Sequence, residues 1–161
     1  MLGPEEEYHD LATLVVAKAA KNGEKVAVRF GEKALSYRDL DRESRRVASG
    51  LQAAGIGHGD RVAAFLFNGP EFLSLWFGLS RLGAVLVPLN TALKGEILRY
   101  ELDDAAPKAI VVDVRLWPTY AAVRDPNPIP REWVLKPGTS VDALPPDVAN
   151  FASLPRDAPL G

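Results

Sequence analysis

The segment Gly55-Ile-Gly57-His-Gly59-Asp60 has the glycine density of a phosphate-cradling loop. Its spacing is not G-x-G-x-x-G, however. It also follows a helical pattern and precedes an apolar strand-like run, whereas a pyrophosphate loop must leave a strand and open a helix. These residues therefore read as a helix C-cap and a turn. Pro137-Gly-Thr-Ser140 carries phosphate-loop residue types, but neither a lysine nor a helical pattern follows, so it too reads as a turn. No G-x-x-x-x-G is closed by Lys and then Ser or Thr. For acyl transfer, Gly78-Leu-Ser80-Arg-Leu-Gly83 is not G-x-S-x-G, and Ser80 falls within a helical pattern instead of on a strand-to-helix elbow. His58 has no serine or acid partner by spacing. Asp103 and Asp104 are adjacent near a helix end and read as solvated cap residues, not as an acid–base pair. The basic run Arg42 to Arg46 is interrupted by Glu43 and reads as a wet helix face.

Composition narrows the chemistry further. The chain has 161 residues, 47% hydrophobic and 25% charged, the proportions of a globular domain able to bury its own core. A formal net charge of −2 argues against a general nucleic-acid binder. With no cysteine, disulfides, thiolate chemistry and cysteine–metal sites are excluded. Only His9 and His58 are present, so a multi-histidine metal site is not expected. The acidic start Met1-Leu-Gly-Pro-Glu-Glu-Glu7 lacks a basic secretory n-region, and no apolar run approaches the roughly 20 residues of a membrane helix. A cytoplasmic protein without a membrane span is the expectation.

The elements that must position any site follow from apolar spacing. Asp10 precedes Leu11, Leu14, Val15 and Lys18 as an N-cap, and Gly23 stops that helix. Val26 to Phe30 and Ala34 to Ser36, around Gly31-Glu-Lys33, read as a hairpin. Ser36 and Asp39 form a capping-box pattern opening a helix to about Ala54, with Leu40, Val47, Ala48 and Leu51 on its apolar face. From residue 61 apolar strands alternate with helices. Strands are expected at 61–67, 84–89, 108–113 and 132–135, and helices at 71–82, 94–105 and 115–123. Runs apolar on both faces, alternating with helices, predict an α/β fold: an N-terminal helix and β-hairpin followed by parallel βαβ units. Most of the prolines lie at or after Pro118, and 138–161 shows no period. The domain expectation is an α/β unit over 1–136 and a Pro-rich extended segment over 137–161.

Two features of this layout bear on binding. Ligands of open α/β sheets sit beyond the carboxyl ends of the strands, and those ends carry Asn68, Asn90 with Thr91, and Asp113. Each also stands just ahead of a helix, where capping explains it. The helix 71–82 is apolar nearly all round, through Phe72, Leu73, Leu75, Trp76, Phe77, Leu79 and Leu82. Such a helix is buried on more than one side. Either helix 37–54 covers its second side, or a missing domain or partner chain does.

Leu35-Ser-Tyr-Arg-Asp-Leu40 resembles the first core motif of adenylate-forming (AMP-binding) enzymes. Gly59-Asp-Arg-Val62 and Asn68-Gly-Pro-Glu71 fit its usual continuation, and Leu82-Gly-Ala-Val-Leu-Val-Pro-Leu-Asn90 looks like the second core motif. Leu98-Arg-Tyr-Glu-Leu-Asp-Asp-Ala105 looks like the segment after it. The order holds from about Leu11 to Asp113, and Pro88-Leu-Asn-Thr91 is similar to the acyl-CoA ligase branch for fatty-acid or carnitine-type acids. The resemblance implies the N-terminal subdomain of an acyl-CoA synthetase. That family joins a carboxylic acid to coenzyme A through an acyl-adenylate, using ATP and Mg²⁺. Its Ser/Thr/Gly-rich phosphate loop, acidic ribose contact and C-terminal lysine have no counterpart here. The matched motifs therefore imply scaffold, with Tyr37 and Leu40 packing a helix and Pro88 ending a strand. No catalytic, cofactor-binding or metal-binding residue is expected on this chain. ATP, Mg²⁺ and coenzyme A belong to the whole family enzyme, and the expected partner is the rest of that enzyme, or a second chain, on helix 71–82, with a homo-oligomer as a further expectation. A stand-alone interaction module completed by a partner chain is the alternative.

Overall fold

In the computed structural model, which describes residues 10–126, 128–135 and 145–155, the Asp10 carboxylate accepts from the Thr13 amide at 2.7 Å and opens α1, Leu11–Asn22. The hairpin β1 (Val26–Phe30) and β2 (Lys33–Ser36) pairs antiparallel. Lys33 faces Phe30 in that register, so the turn is shorter by one residue than the sequence expectation. Ser36 then caps α2, Tyr37–Ala53, in a complete capping box: its hydroxyl accepts from the Asp39 amide, and the Asp39 carboxylate accepts from the Ser36 amide at 3.1 Å. Those Ser36 contacts, with Arg42 adding to them, hold the Asp39 carboxyl below its ordinary range.

The second half alternates as expected. It runs β3 (Arg61–Phe65), α3 (Pro70–Arg81), β4 (Val85–Pro88), α4 (Gly95–Ala105), β5 (Ala109–Asp113), a single 3-10 turn at Val114–Leu116, α5 (Trp117–Arg124) and β6 (Glu132–Leu135). A further two-residue strand, β7 (Ala149–Asn150), pairs parallel with β6. The sheet order is β4-β3-β5-β6-β7, and each of its pairs is parallel.

Side chains of the sheet alternate between two cores, as strand geometry requires. Val62, Ala64, Val111 and Trp133 face α2 and α3, whose Val47, Leu51, Leu75 and Leu79 complete that core. Ala63, Phe65, Ile110 and Val112 face α4 and α5, through Leu98, Leu102, Tyr120 and Val123. The period-less reading of 138–161 misses the short strand β7 and Phe151. Phe151 is buried, with its ring edge-on to Trp133 at a centroid distance of 6.3 Å. A two-residue strand carries no detectable alternation, so only the pairing with β6 reveals it.

Helix α2 covers much of the apolar circumference of α3. Gly78 lets the two helices close: an ideal Cβ there would stand 2.9 Å from Val47 Cγ1 and 3.1 Å from the Ser44 carbonyl oxygen. Arg81 on α3 donates to Ser44 Oγ at 3.0 Å and to Asp41, both on α2. Trp76 nevertheless remains 42% exposed. Among the described residues, no helix is long and apolar enough to cross a membrane.

Candidate functional site

The chain leaves β3 toward β4 on one side of the sheet and leaves β5 toward β6 on the other. Helix α3 accordingly lies on one face, and α4 and α5 lie on the opposite face. Adjacent strands whose following connections diverge open a crevice at their carboxyl ends, where ligands of such sheets bind. Here that crevice lies between β3 and β5, lined by Phe67 and Asn68 from one loop and by Asp113 and Arg115 from the other.

Asp113 ends β5 and is buried. Its Oδ1 accepts from the Arg115 amide at 2.9 Å and from Arg115 Nε at 2.8 Å, and its Oδ2 accepts from Arg115 Nη2 at 2.6 Å. Burial pushes the Asp113 carboxyl up, but the hydrogen bonds and charge of Arg115 outweigh it and leave the group below its ordinary range. The guanidinium held in this way lies 4.4 Å from the centroid of the Phe67 ring, a cation–π contact across the two loops. Arg115 is thus neutralised from one side and stacked on the other. Phe67 and Arg115 both stay partly exposed at the rim, so the contact spans the crevice without filling it.

The other rim residues have local roles. Asn90 Oδ1 accepts from the Ala92 amide at 2.9 Å and folds the loop after β4. Asp113 caps the 3-10 turn, as the capping reading expects. Capping fails for Asn68, Asn90 and Thr91, because α3 is capped by Gly69 and α4 by Lys94, neither with a side-chain bond. The Phe67–Arg115 stack was not legible in advance. Phe67 reads as the last residue of an apolar strand, and its partner is distant in sequence.

The glycine loop 55–60 lies at the amino ends of the strands, away from that rim. Asp60 Oδ2 accepts from the Gly57 amide at 2.8 Å and from Lys108 Nζ at 2.6 Å, while Lys108 also donates to the Gly55 carbonyl at 2.8 Å. Lys108 and then Gly57 draw the Asp60 carboxyl below its usual range. The His58 ring packs on Gly83, where a Cβ would stand 2.6 Å from His58 Cδ2. The amides of Gly57 and Asp60 bond within the loop, and that of Gly59 donates to the Gly83 carbonyl at 2.9 Å. Asp103 pairs with Arg99 at 3.0 Å. The run Arg42–Arg46 pairs with Asp39, Asp41 and Glu43. His9 and Pro137 to Ser140 lie outside the described residues.

A second polar cluster joins α5, β6 and the residues before β7. The buried Glu132 carboxylate receives Arg124 Nε at 3.0 and 2.7 Å and the Tyr120 hydroxyl, while Arg124 also reaches Asp147. Burial and then Glu132 push the Tyr120 phenol well above its ordinary range, so it stays a donor. The arrangement is a bonded clamp, and Tyr120 and Arg124 also line a cavity with Arg99, Leu102 and Ile129.

Comparison with known proteins places these features in context. Residues 15–153 match the family described as AMP-binding enzyme. The crotonobetaine/carnitine–CoA ligase of Salmonella enteritidis PT4 is 37% identical over 121 residues, covering 74% of this chain and 23% of the relative. A Rhodopseudomonas palustris CGA009 structure, assigned as a long-chain-fatty-acid CoA ligase, superposes with a TM-score of 0.82 at 28% identity, covering 95% of this chain and 38% of that one. The N-terminal domain of FACL13 from Mycobacterium tuberculosis gives a TM-score of 0.74 at 25% identity, covering 94% and 38%. The chain thus spans about a quarter of the length of the curated relative.

Proposed function

From the premise that this chain belongs to the AMP-binding enzyme family, we propose that it forms the N-terminal subdomain of an ATP-dependent carboxylic acid–CoA ligase. In that reaction a substrate carboxylate oxygen attacks the α-phosphorus of ATP and releases pyrophosphate. The thiolate of coenzyme A then attacks the acyl carbonyl and releases AMP. The observation that supports this reading is the family match over residues 15–153. Fatty-acid or carnitine-type acids are the substrate class we favour, from the Pro88-Leu-Asn-Thr91 motif and the named relative.

This chain's part in that reaction is scaffold. Three of its carboxylates, those of Asp113, Asp60 and Glu132, are tied to neighbouring arginines, lysines and amides. No group of three or more His, Cys, Asp or Glu side chains among the described residues could hold a metal, so no step on this chain is assigned to Mg²⁺. The rest of the ligase is inferred to pack on α3 around the exposed Trp76. Nothing in the comparisons supports a stand-alone interaction module. The cysteine-free composition agrees with work in the cytoplasm.

The test begins with the polypeptide as its own cell makes it: intact mass, then acid-dependent exchange of pyrophosphate into ATP. The expected result is a mass several times 17.4 kDa, with exchange driven by fatty or carnitine-type acids. A native protein near 17.4 kDa that catalyses no exchange with any acid would overturn the reading.

A further inference from the structure

Two asparagines of the chain are followed by glycine, Asn22 and Asn68. A backbone nitrogen can attack the side-chain carbonyl of the residue before it, and glycine, without a Cβ, leaves that approach open. The structure separates the two pairs. Asn22 ends α1, where its carbonyl accepts from the Lys25 amide at 2.8 Å, and the carbonyl of buried Gly23 accepts from the Arg38 amide at 3.0 Å. Asn68 stands exposed in the loop after β3. Neither its side chain nor the Gly69 amide is hydrogen-bonded among the described residues. Asn90 and Asn150 precede the larger Thr91 and Phe151, and their side chains accept from the amides of Ala92 and Ala152, each at 2.9 Å.

We propose that Asn68–Gly69 is a site of spontaneous deamidation at the rim of the β3–β5 crevice. The Gly69 nitrogen, its proton taken by hydroxide, attacks the Asn68 side-chain carbonyl carbon. A carbon–nitrogen bond forms, the side-chain nitrogen leaves as ammonia, and a succinimide ring closes. Water then opens the ring at one carbonyl to aspartate, or at the other to isoaspartate. Gly69 is the N-cap of α3 and has no side-chain capping bond. The positive end of the helix dipole therefore lies where the nitrogen anion and the later carboxylate carry their charge. Glu71 in the first turn offsets part of that field, so exposure and the unbonded amide are what decide the site. Each conversion adds one negative charge to the loop that carries Phe67, across from Arg115. The inference does not depend on the ligase reading.

The test is to age the chain at mildly alkaline pH, both folded and in denaturant, and to read each asparagine by peptide mass spectrometry. Circular dichroism checks that the chain and its variants stay folded. In the folded chain Asn68 should deamidate about 30-fold faster than Asn22, where two backbone hydrogen bonds must open first. In denaturant the two should react at similar rates. Gly69→Ala should slow the reaction at Asn68 severalfold. The backbone there is extended and suits any residue, and the added Cβ meets only the mobile end of Glu71, at 3.2 Å. Isoaspartyl methyltransferase with S-adenosylmethionine should label the aged parent far more than aged Asn68→Gln. An Asn68 that stays intact in the folded chain, an Asn22 that reacts as fast there, a rate unchanged by Gly69→Ala, or equal labelling of Asn68→Gln would each overturn the proposal.

Discussion

Replacing Gly78 by alanine tests whether α2 and α3 approach as closely as the structure shows. In an exposed helix this change would stabilise by about 1 kcal/mol, because glycine is the poorer helix former. Here the new methyl would stand 2.9 Å from Val47 Cγ1, 3.1 Å from Val47 Cβ and 3.1 Å from the Ser44 carbonyl oxygen. Val47 is β-branched and its rotamer in a helix is nearly fixed, and the carbonyl is backbone, so neither can swing aside. The helices must separate, which strains the Arg81 contacts to Asp41 and Ser44 as well. Overpacking of this kind costs about 1–3 kcal/mol. Set against the propensity gain, the net loss should be about 1 kcal/mol, or a Tm lower by about 2–4 °C for a chain of this size. Thermal unfolding followed by circular dichroism reads it. Gly57→Ala is the control, since no atom lies within 4 Å of its Cβ position, and it should change stability by under about 0.5 kcal/mol. Val47→Ala opens the space, so the double variant should lose less than the sum of the single losses. A Gly78→Ala protein as stable as the parent, or more so, would refute the close approach.

Other expectations follow from single contacts. Ala106 ends α4 in the left-handed region at φ 41, where a Cβ is strained, so Ala106→Gly should raise stability by about 1 kcal/mol in a denaturant titration. An unchanged or lower midpoint would count against it. The folded-state pKa of Asp113 lies below its usual 3.8, so its contribution is present above that value and lost as pH falls through the folded pKa. The Tm gap between the parent and Asp113→Asn should therefore begin to narrow below about pH 5 and keep narrowing as pH falls through the folded pKa, and a gap that widens on acidification would contradict the assignment. Phe151→Ala removes a buried ring against Trp133 and should cost about 3–5 kcal/mol. Chemical denaturation checks it, and a loss under about 1 kcal/mol would mean that Phe151 does not anchor the residues after β6 to the sheet.

Local chemistry was readable without coordinates. Asp10 and the Ser36–Asp39 box start their helices through bonds spanning three residues, so residue type and spacing suffice to find them. The α/β alternation after residue 61 is legible for a similar reason, because one turn of helix and one pleat of strand are each shorter than the pattern that reports them. The rejection of the glycine loop as a phosphate site also needed only its order between a helix and a strand. Four motifs in register carried the family resemblance.

The remainder depends on which distant residues meet. Strand order decides where the crevice lies, and hydrophobic periodicity contains no strand order. Phe67 and Arg115 meet across that crevice from loops that the chain joins only through α3, β4, α4 and β5. Arg81 reaches back 40 residues to Asp41, and Glu132 is clamped by Tyr120 and Arg124, the latter held in turn by Asp147. β7 exists because β6 offers it an unpaired edge. The exposed side of α4 belongs to the same class. Its side chains sit one turn apart in sequence, but only packing shows that Leu98 and Leu102 take the core and leave Ile97 and Tyr100 outside. Local bonds are written in residue type and spacing. Contacts between elements depend on the direction each side chain takes after the sheet has assembled, and that direction is a property of the tertiary structure.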